Sequence, residues 1–191
     1  MLEQSELVQA LTPVVRFFVN QQIDYFIGGS VASSHHGASR STLDVDLTVV
    51  FRDIHIKPLI AELSGEYYLS EAAIRDAVRL KSCFNLIHLK TSFKVDFFVS
   101  RDRDFDHLSQ KRASVASLGK TPQLQVRVAT AEDIILIKLQ WYRLGNEVSE
   151  RQWTDLTNVL RLNRQMLDVA YLQEWANRLD VDDLLSRLLE T

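Results

Sequence analysis

The clearest periodicity in the chain lies at residues 43–50. Leu43, Val45, Leu47 and Val49 alternate with Asp44, Asp46 and Thr48, which puts apolar side chains on one face of a strand and polar ones on the other. Upstream, Leu7, Leu11, Val14, Val15 and Phe18 recur at helical spacing and predict a helix within the first twenty residues. Residues 23–27 are a short apolar run that stops at Gly28-Gly29, the pattern of a strand entering a sharp turn, and the breaker-free stretch 30–36 predicts a brief helix after it. Residues 57–63 and 71–78 predict helices, and 84–90 and 93–99 predict two strands joined by a tight turn at Thr91-Ser92. The charged stretch 101–112 predicts a surface helix or loop, and 123–128 one more short strand.

From Thr130 the period changes to that of helices. Thr130 and Asp133 have the spacing of an N-terminal capping box, and Ile134, Ile137, Trp141 and Leu144 then form an apolar stripe that Gly145 ends. Ser149 with Gln152 repeats the capping signal ahead of Trp153, Leu156, Val159 and Leu160; two further helices are expected at 167–179 and 182–189. Trp141, Trp153 and Trp175 occupy apolar helical positions, as core residues or as a stacking surface for a base or an acceptor. These segments predict an α+β fold: a mixed β-sheet flanked by helices over residues 1–129, then a helical C-terminal region, 130–191, packed on it.

Composition narrows the class. A chain of 191 residues, 46% hydrophobic and 25% charged, is an ordinary globular protein large enough for its own core. The single Cys83 forms no internal bridge and reads as a small buried apolar group. Residues 1–10 lack the basic start of a secretory leader, and no apolar run approaches the roughly 20 residues that span a bilayer, so a cytoplasmic location and no membrane partner are expected. Net charge is −3, yet residues 71–120 hold ten Lys and Arg against six Asp and Glu. That excess makes either a basic face for phosphates or RNA, or a solvated mixed-charge surface. The adjacent His35 and His36 diverge on a helix and cannot chelate together; one packs and one faces solvent.

The chemistry is concentrated around two short motifs. Asp44 and Asp46, two apart on a strand, point the same way about 6.5–7 Å apart and can converge on a hard cation such as Mg²⁺. Gly28-Gly29-Ser30 lets backbone approach phosphate oxygens, with the N–H groups of the following helix and the Ser30 hydroxyl as donors. Asp96, in Lys94-Val95-Asp96-Phe97-Phe98-Val99, shares its face with Lys94 and Phe98. A carboxylate in so apolar a strand must be paired, solvated or metal-bound: it is either the third ligand of a metal site or the partner of Lys94 or Lys90.

The string IGGSVASSHHGASRSTLDVDLTVV, followed by KVDFFV, resembles the signature of the polymerase-beta-like nucleotidyltransferase superfamily. The resemblance implies a nucleotidyltransferase-type mixed sheet with flanking helices, two magnesium ions, and transfer of a nucleoside monophosphate from NTP with release of pyrophosphate. It implies phosphate binding by Gly29 and Ser30, with Gly28 beside them, and catalytic metal binding by Asp44, Asp46 and Asp96. Within that superfamily the Gly37…Arg40-x-Thr42-x-Asp44 context is most similar to the bacterial abortive-infection AbiE type (AbiEii), a toxin–antitoxin component. By that resemblance Arg40 and Lys138 neutralise triphosphate, and Arg151 with Asp155 forms a basic-x-x-x-Asp pair. The acceptor hydroxyl is then a tRNA end or a protein side chain, and an antitoxin or a second copy of the chain is a candidate partner. Two alternatives stand beside this: an enzyme for a small, aminoglycoside-like acceptor, and a non-catalytic module that binds nucleotide or a partner.

Overall fold

The amphipathic start of the chain forms α1 (Glu6–Asn20), whose first turn is closed by the Ser5 hydroxyl accepting the Val8 N–H. There follow β1 (Tyr25–Ile27), α2 (Gly29–His35), β2 (Asp44–Val49), a single 3-10 turn at Asp53–His55, α3 (Ile56–Leu63), β3 (Tyr67–Tyr68) and α4 (Glu71–Leu80). Next come β4 (Cys83–His88), β5 (Lys94–Val99), α5 (Asp104–Arg112), β6 (Ser114–Leu118) and β7 (Leu124–Val128). Four helices complete the chain: α6 (Ala131–Leu144), α7 (Glu150–Asn163), α8 (Val169–Arg178) and α9 (Asp182–Leu189). This computed structural model describes residues 5–37, 42–119 and 123–191. They divide into a sheet unit, drawn from Met1–Gly28 and Thr42–Val128, and a helical unit, drawn from Gly29–Ser41 and Ala129–Thr191.

In the sheet unit seven strands run in the order β3-β4-β5-β2-β1-β7-β6. β2 pairs with β5 and β1 with β7 in parallel, and every other neighbouring pair is antiparallel, so the sheet is mixed. β2 and β5 sit near the middle and alternate strictly. Val45, Leu47, Val49, Val95 and Phe97 are fully or almost fully buried, while the residues between them are half-exposed. Beneath that apolar face Phe97 stacks on Phe84 (centroids 4.7 Å apart) and meets Phe18 and Phe51 edge-on at 5.6 and 6.5 Å. Each such side chain contributes about 1.5–3 kcal/mol by leaving water.

The structure departs from the sequence reading in small ways, each with a physical cause. Leu43 does not extend the apolar row; it precedes β2 and is 70% exposed. Cys83 is not buried, because it opens β4 on the outward face. β4 stops at His88, and residues 89–92 form the connection, with Ser92 at φ +59°. The edge strands β3 and β6 are new. One is two residues long and the other, SVASL, buries only Ala116, so neither carries a readable alternation. The stretch 101–112 resolves into α5, whose Asp106 carboxylate accepts the Arg101 and Arg103 N–H groups.

In the helical unit Thr130, Ser149 and Asp168 cap α6, α7 and α8, each side chain accepting the N–H three residues on. Asp133, fully buried, also receives the Tyr171 hydroxyl at 2.6 Å, so α8 is tied to the start of α6. The end of α2 is held by Asn163, whose amide donates to the His36 carbonyl, and by a His36 Nε2 contact of 2.8 Å to the Ala129 carbonyl. His35 is exposed and its ring meets His36 edge-on, so one packs and one faces solvent, as expected. Trp141 departs from the core reading at 46% exposure, whereas Trp175 is buried. A guanidinium lies over one face of Trp153 (Arg187, 4.2 Å) and one face of Trp175 (Arg178, 4.9 Å).

Candidate active site

The parallel register of β2 and β5 brings the acidic residues together. Asp46 is the register partner of Asp96, and Asp44 that of Lys94. In-register residues on neighbouring parallel strands share a face, with strands about 4.8 Å apart, so Asp44, Asp46, Lys94 and Asp96 occupy the four corners of one polar patch. Asn85 on β4, opposite Asp96, extends the row on the same face. Hydrophobic alternation dictates this. The partners Val45, Leu47, Val95 and Phe97 must all face the aromatic core, so the acidic set has to face the other way.

Within the patch Lys94 Nζ lies 2.7 Å from Asp96 Oδ2, with the lysine side chain 43% exposed and the carboxylate 15%. The Asp96 hydrogen bond raises the Lys94 pKa above that of a free lysine; partial burial opposes this, and the charges of Asp96, Asp44 and Asp46 add to it. The Thr42 hydroxyl donates to Asp44 Oδ1 and orients that carboxylate. Gly28 closes the strand beside the patch, its N–H donating to the Asp46 carbonyl at 2.8 Å.

Of the residues the sequence singled out, Asp44, Asp46, Asp96 and Gly28 lie in the sheet unit. Gly29 and Ser30 begin α2 in the helical unit; Gly29 sits at φ +54°, a left-handed conformation that suits glycine, and Ser30 is buried. Lys138 on α6 is bound to Asp155 on α7 at 3.0 Å, with side-chain exposures of 12% and 14%. Two residues considered separately are thus one largely buried ion pair. Arg151 is exposed, and Arg40 lies outside the described residues. Sequence reasoning missed Asn85 as a neighbour of the patch and Thr42 as a support for Asp44. The polar position in FNLIH was the available signal for the first, but its register against β5 was not readable.

Carboxylates on one polar face suit divalent cations, which prefer oxygen ligands, and an ammonium already stands among them as a monovalent stand-in. The donor set fits magnesium. Among the described residues no three His, Cys, Asp or Glu side chains are drawn together closely enough to grip an ion as they stand. Asp96 is turned onto Lys94.

Other surfaces carry less. Five of the ten cations in residues 71–120 are paired within the segment, Arg75 with Glu71, Arg79 with Asp76, Lys81 with Asp102, Lys94 with Asp96 and Arg103 with Asp106, which leaves its net positive charge unchanged. Among the described residues no helix is long and apolar enough to cross a membrane.

No family model matches the chain, and no curated protein does. Solved structures do. An antigenic nucleotidyltransferase-like protein from Paracoccidioides brasiliensis is 18% identical with a TM-score of 0.54, over 98% of this chain and 94% of that one. The antibiotic-resistance factor ANT(2'')-Ia in solution is 15% identical with a TM-score of 0.58, over 99% and 100% of the two chains. The crystal structure of ANT(2'')-Ia in complex with adenylyl-2''-tobramycin is 14% identical with a TM-score of 0.52, over 92% and 98%. At these identities the likeness is one of architecture, and in architecture this chain has the nucleotidyltransferase fold.

Proposed function

We propose that the chain is a magnesium-dependent nucleotidyltransferase that joins a nucleoside monophosphate to an acceptor hydroxyl. The acceptor oxygen bonds to the α-phosphorus, the α–β phosphoanhydride bond breaks, pyrophosphate leaves with that bond's electron pair, and the hydroxyl proton is released. The observation that carries this reading is the in-register placement of Asp44, Asp46 and Asp96 on one polar face of β2 and β5, within a fold shared with nucleotidyltransferases. Those three carboxylates are the residues that would hold magnesium. When bound, it would screen the phosphate charge and favour departure of pyrophosphate. Thr42 keeps Asp44 oriented, and the aromatic core keeps β2 and β5 in register. Triphosphate contacts are assigned by the Gly-Ser motif and its resemblance to Gly28, Gly29, Ser30 and Arg40, with Lys138.

For the acceptor, a tRNA end or a protein hydroxyl follows from the AbiE-type resemblance, and with it a toxin role with an antitoxin partner. A second reading has its own support: ANT(2'')-Ia, solved with an adenylylated tobramycin, matches this chain over nearly its whole length, which favours a small cationic acceptor. One experiment separates them. The protein is incubated with each α-labelled NTP and Mg²⁺, together with bulk tRNA, lysate protein or an aminoglycoside panel. Label on RNA or protein supports the first reading, and label on the aminoglycoside the second. Nucleotide binding without transfer to any of these refutes the enzymatic reading.

A further inference from the structure

Three of the four corners of the polar patch carry a carboxylate and the fourth carries Lys94. Its strand register sets it across from Asp44, one pleat repeat from Asp96 and diagonal to Asp46. The lysine does not lean out into solvent as an isolated surface lysine would. It reaches along its own strand and places Nζ 2.7 Å from Asp96 Oδ2. Its ammonium is thereby the cation at the fourth corner of a patch otherwise made of carboxylates. Three features allow the contact to be temporary. A lysine ammonium is a compact point charge on a flexible stem, without the two-pronged geometry that locks an arginine to a carboxylate. Its side chain is 43% exposed, so a path to water exists without moving the backbone. The contact is a single one on a partly solvated carboxylate, the weak class of ion pair.

We propose that Lys94 is a positioning residue that competes with the divalent ion. Its ammonium holds Asp96 in the metal-free chain and must leave Asp96 when the ion binds, so Lys94 sets the affinity of the patch for metal. This rests on the metal-dependent reading above and adds to it a residue that the Gly-Ser and Asp-x-Asp motifs do not contain. It also accounts for the charge balance of the patch: three negative charges side by side repel one another unless a cation, internal or external, lies between them.

Two measurements that need no catalytic turnover test it. In the intact wild-type protein, lysines are acylated with an amine-reactive reagent, with and without Mg²⁺, and the sites are read by mass spectrometry. Lys94 labelling should rise severalfold with Mg²⁺ while Lys81, Lys57 and Lys111 stay constant. In parallel, Mg²⁺ and Mn²⁺ binding to the wild type, Lys94→Met and Lys94→Arg is followed by calorimetry and thermal shift. Lys94→Met should bind about five- to tenfold more tightly and gain more thermal stability from metal. Lys94→Arg, whose fork grips Asp96 in two places, should bind more weakly than wild type. The Arg variant and the labelling keep the test decisive should Lys94→Met fold poorly. Metal binding of equal strength in all three proteins, with Lys94 labelling unchanged, overturns the inference and leaves the metal-dependent reading standing. No metal binding by any of the three overturns both.

Discussion

Replacing Asp96 by Asn separates a site residue from a structural one, because the structure sets the size of each effect. The substitution keeps shape and volume and removes one charge. It costs the bond to Lys94, a pair whose lysine is 43% exposed and whose carboxylate is 15% exposed, and such a pair contributes about 0.5–1 kcal/mol after screening. It also relieves repulsion from Asp46, its register partner. Two unit charges about 5 Å apart repel by about 3 kcal/mol at an effective dielectric near 20, and by much less where water reaches them. The two changes oppose each other, so the expected shift in stability is within about 1 kcal/mol, or roughly 2–4 °C in Tm for a chain of this size. Nucleotidyl transfer, by contrast, should fall at least about 100-fold, equivalent to roughly 2.7 kcal/mol of lost transition-state stabilisation. The neighbouring Phe97→Ala is the control. Phe97 is fully buried against Phe84 and Phe18, and its truncation should cost about 3–5 kcal/mol. Circular dichroism melts and transfer of label from α-labelled NTP are the assays. An Asp96→Asn protein that melts as early as Phe97→Ala, or that keeps more than half of the wild-type transfer rate, refutes the reasoning.

Other outcomes follow from the same geometry. Removing either partner of the largely buried Lys138–Asp155 pair should destabilise by about 3–5 kcal/mol, whereas the double replacement Lys138→Met with Asp155→Leu should recover most of that loss; a urea-denaturation double-mutant cycle checks it. His88 is buried beside Tyr67, with Nδ1 2.8 Å from the Thr91 hydroxyl, and burial holds its pKa below the ordinary histidine value; the charge of Glu66 opposes this and that of Lys90 adds to it. Because the folded-state pKa is the lower one, its stabilising share is present above the unfolded-state pKa and is lost as pH falls through the folded one. Melts between pH 7.5 and 5 should therefore show a smaller loss of Tm in His88→Gln than in wild type. Gly37 sits at φ +98°, where an added Cβ would lie 2.8 Å from Leu162 Cδ1, so Gly37→Ala should lower stability by more than about 1 kcal/mol in the same assay.

Much of the molecule could be read along the chain. The alternation in DVDLTV and KVDFFV placed Asp44, Asp46 and Asp96 on polar faces, since a strand that buries every second residue has only one way to turn. The helices and two of their caps were legible for the same local reason: Thr130 and Ser149 bond to N–H groups three residues away, and that spacing is visible in sequence. The α+β class, with a mixed sheet and a helical end, followed from where the period changes from two to 3.6.

Pairing across the chain was not legible. The sequence by itself determined which residues are acidic, which face each occupies and where the glycine turn falls, because these depend on neighbours within a few positions. Only the tertiary structure decided that β2 and β5, fifty residues apart, lie side by side in full parallel register, that Lys94 is the cation at the fourth corner, and that Lys138 belongs to Asp155. Strand order and ion-pair partners depend on which elements share a core, and that choice is made by the packing of all the apolar faces at once rather than by any local stretch.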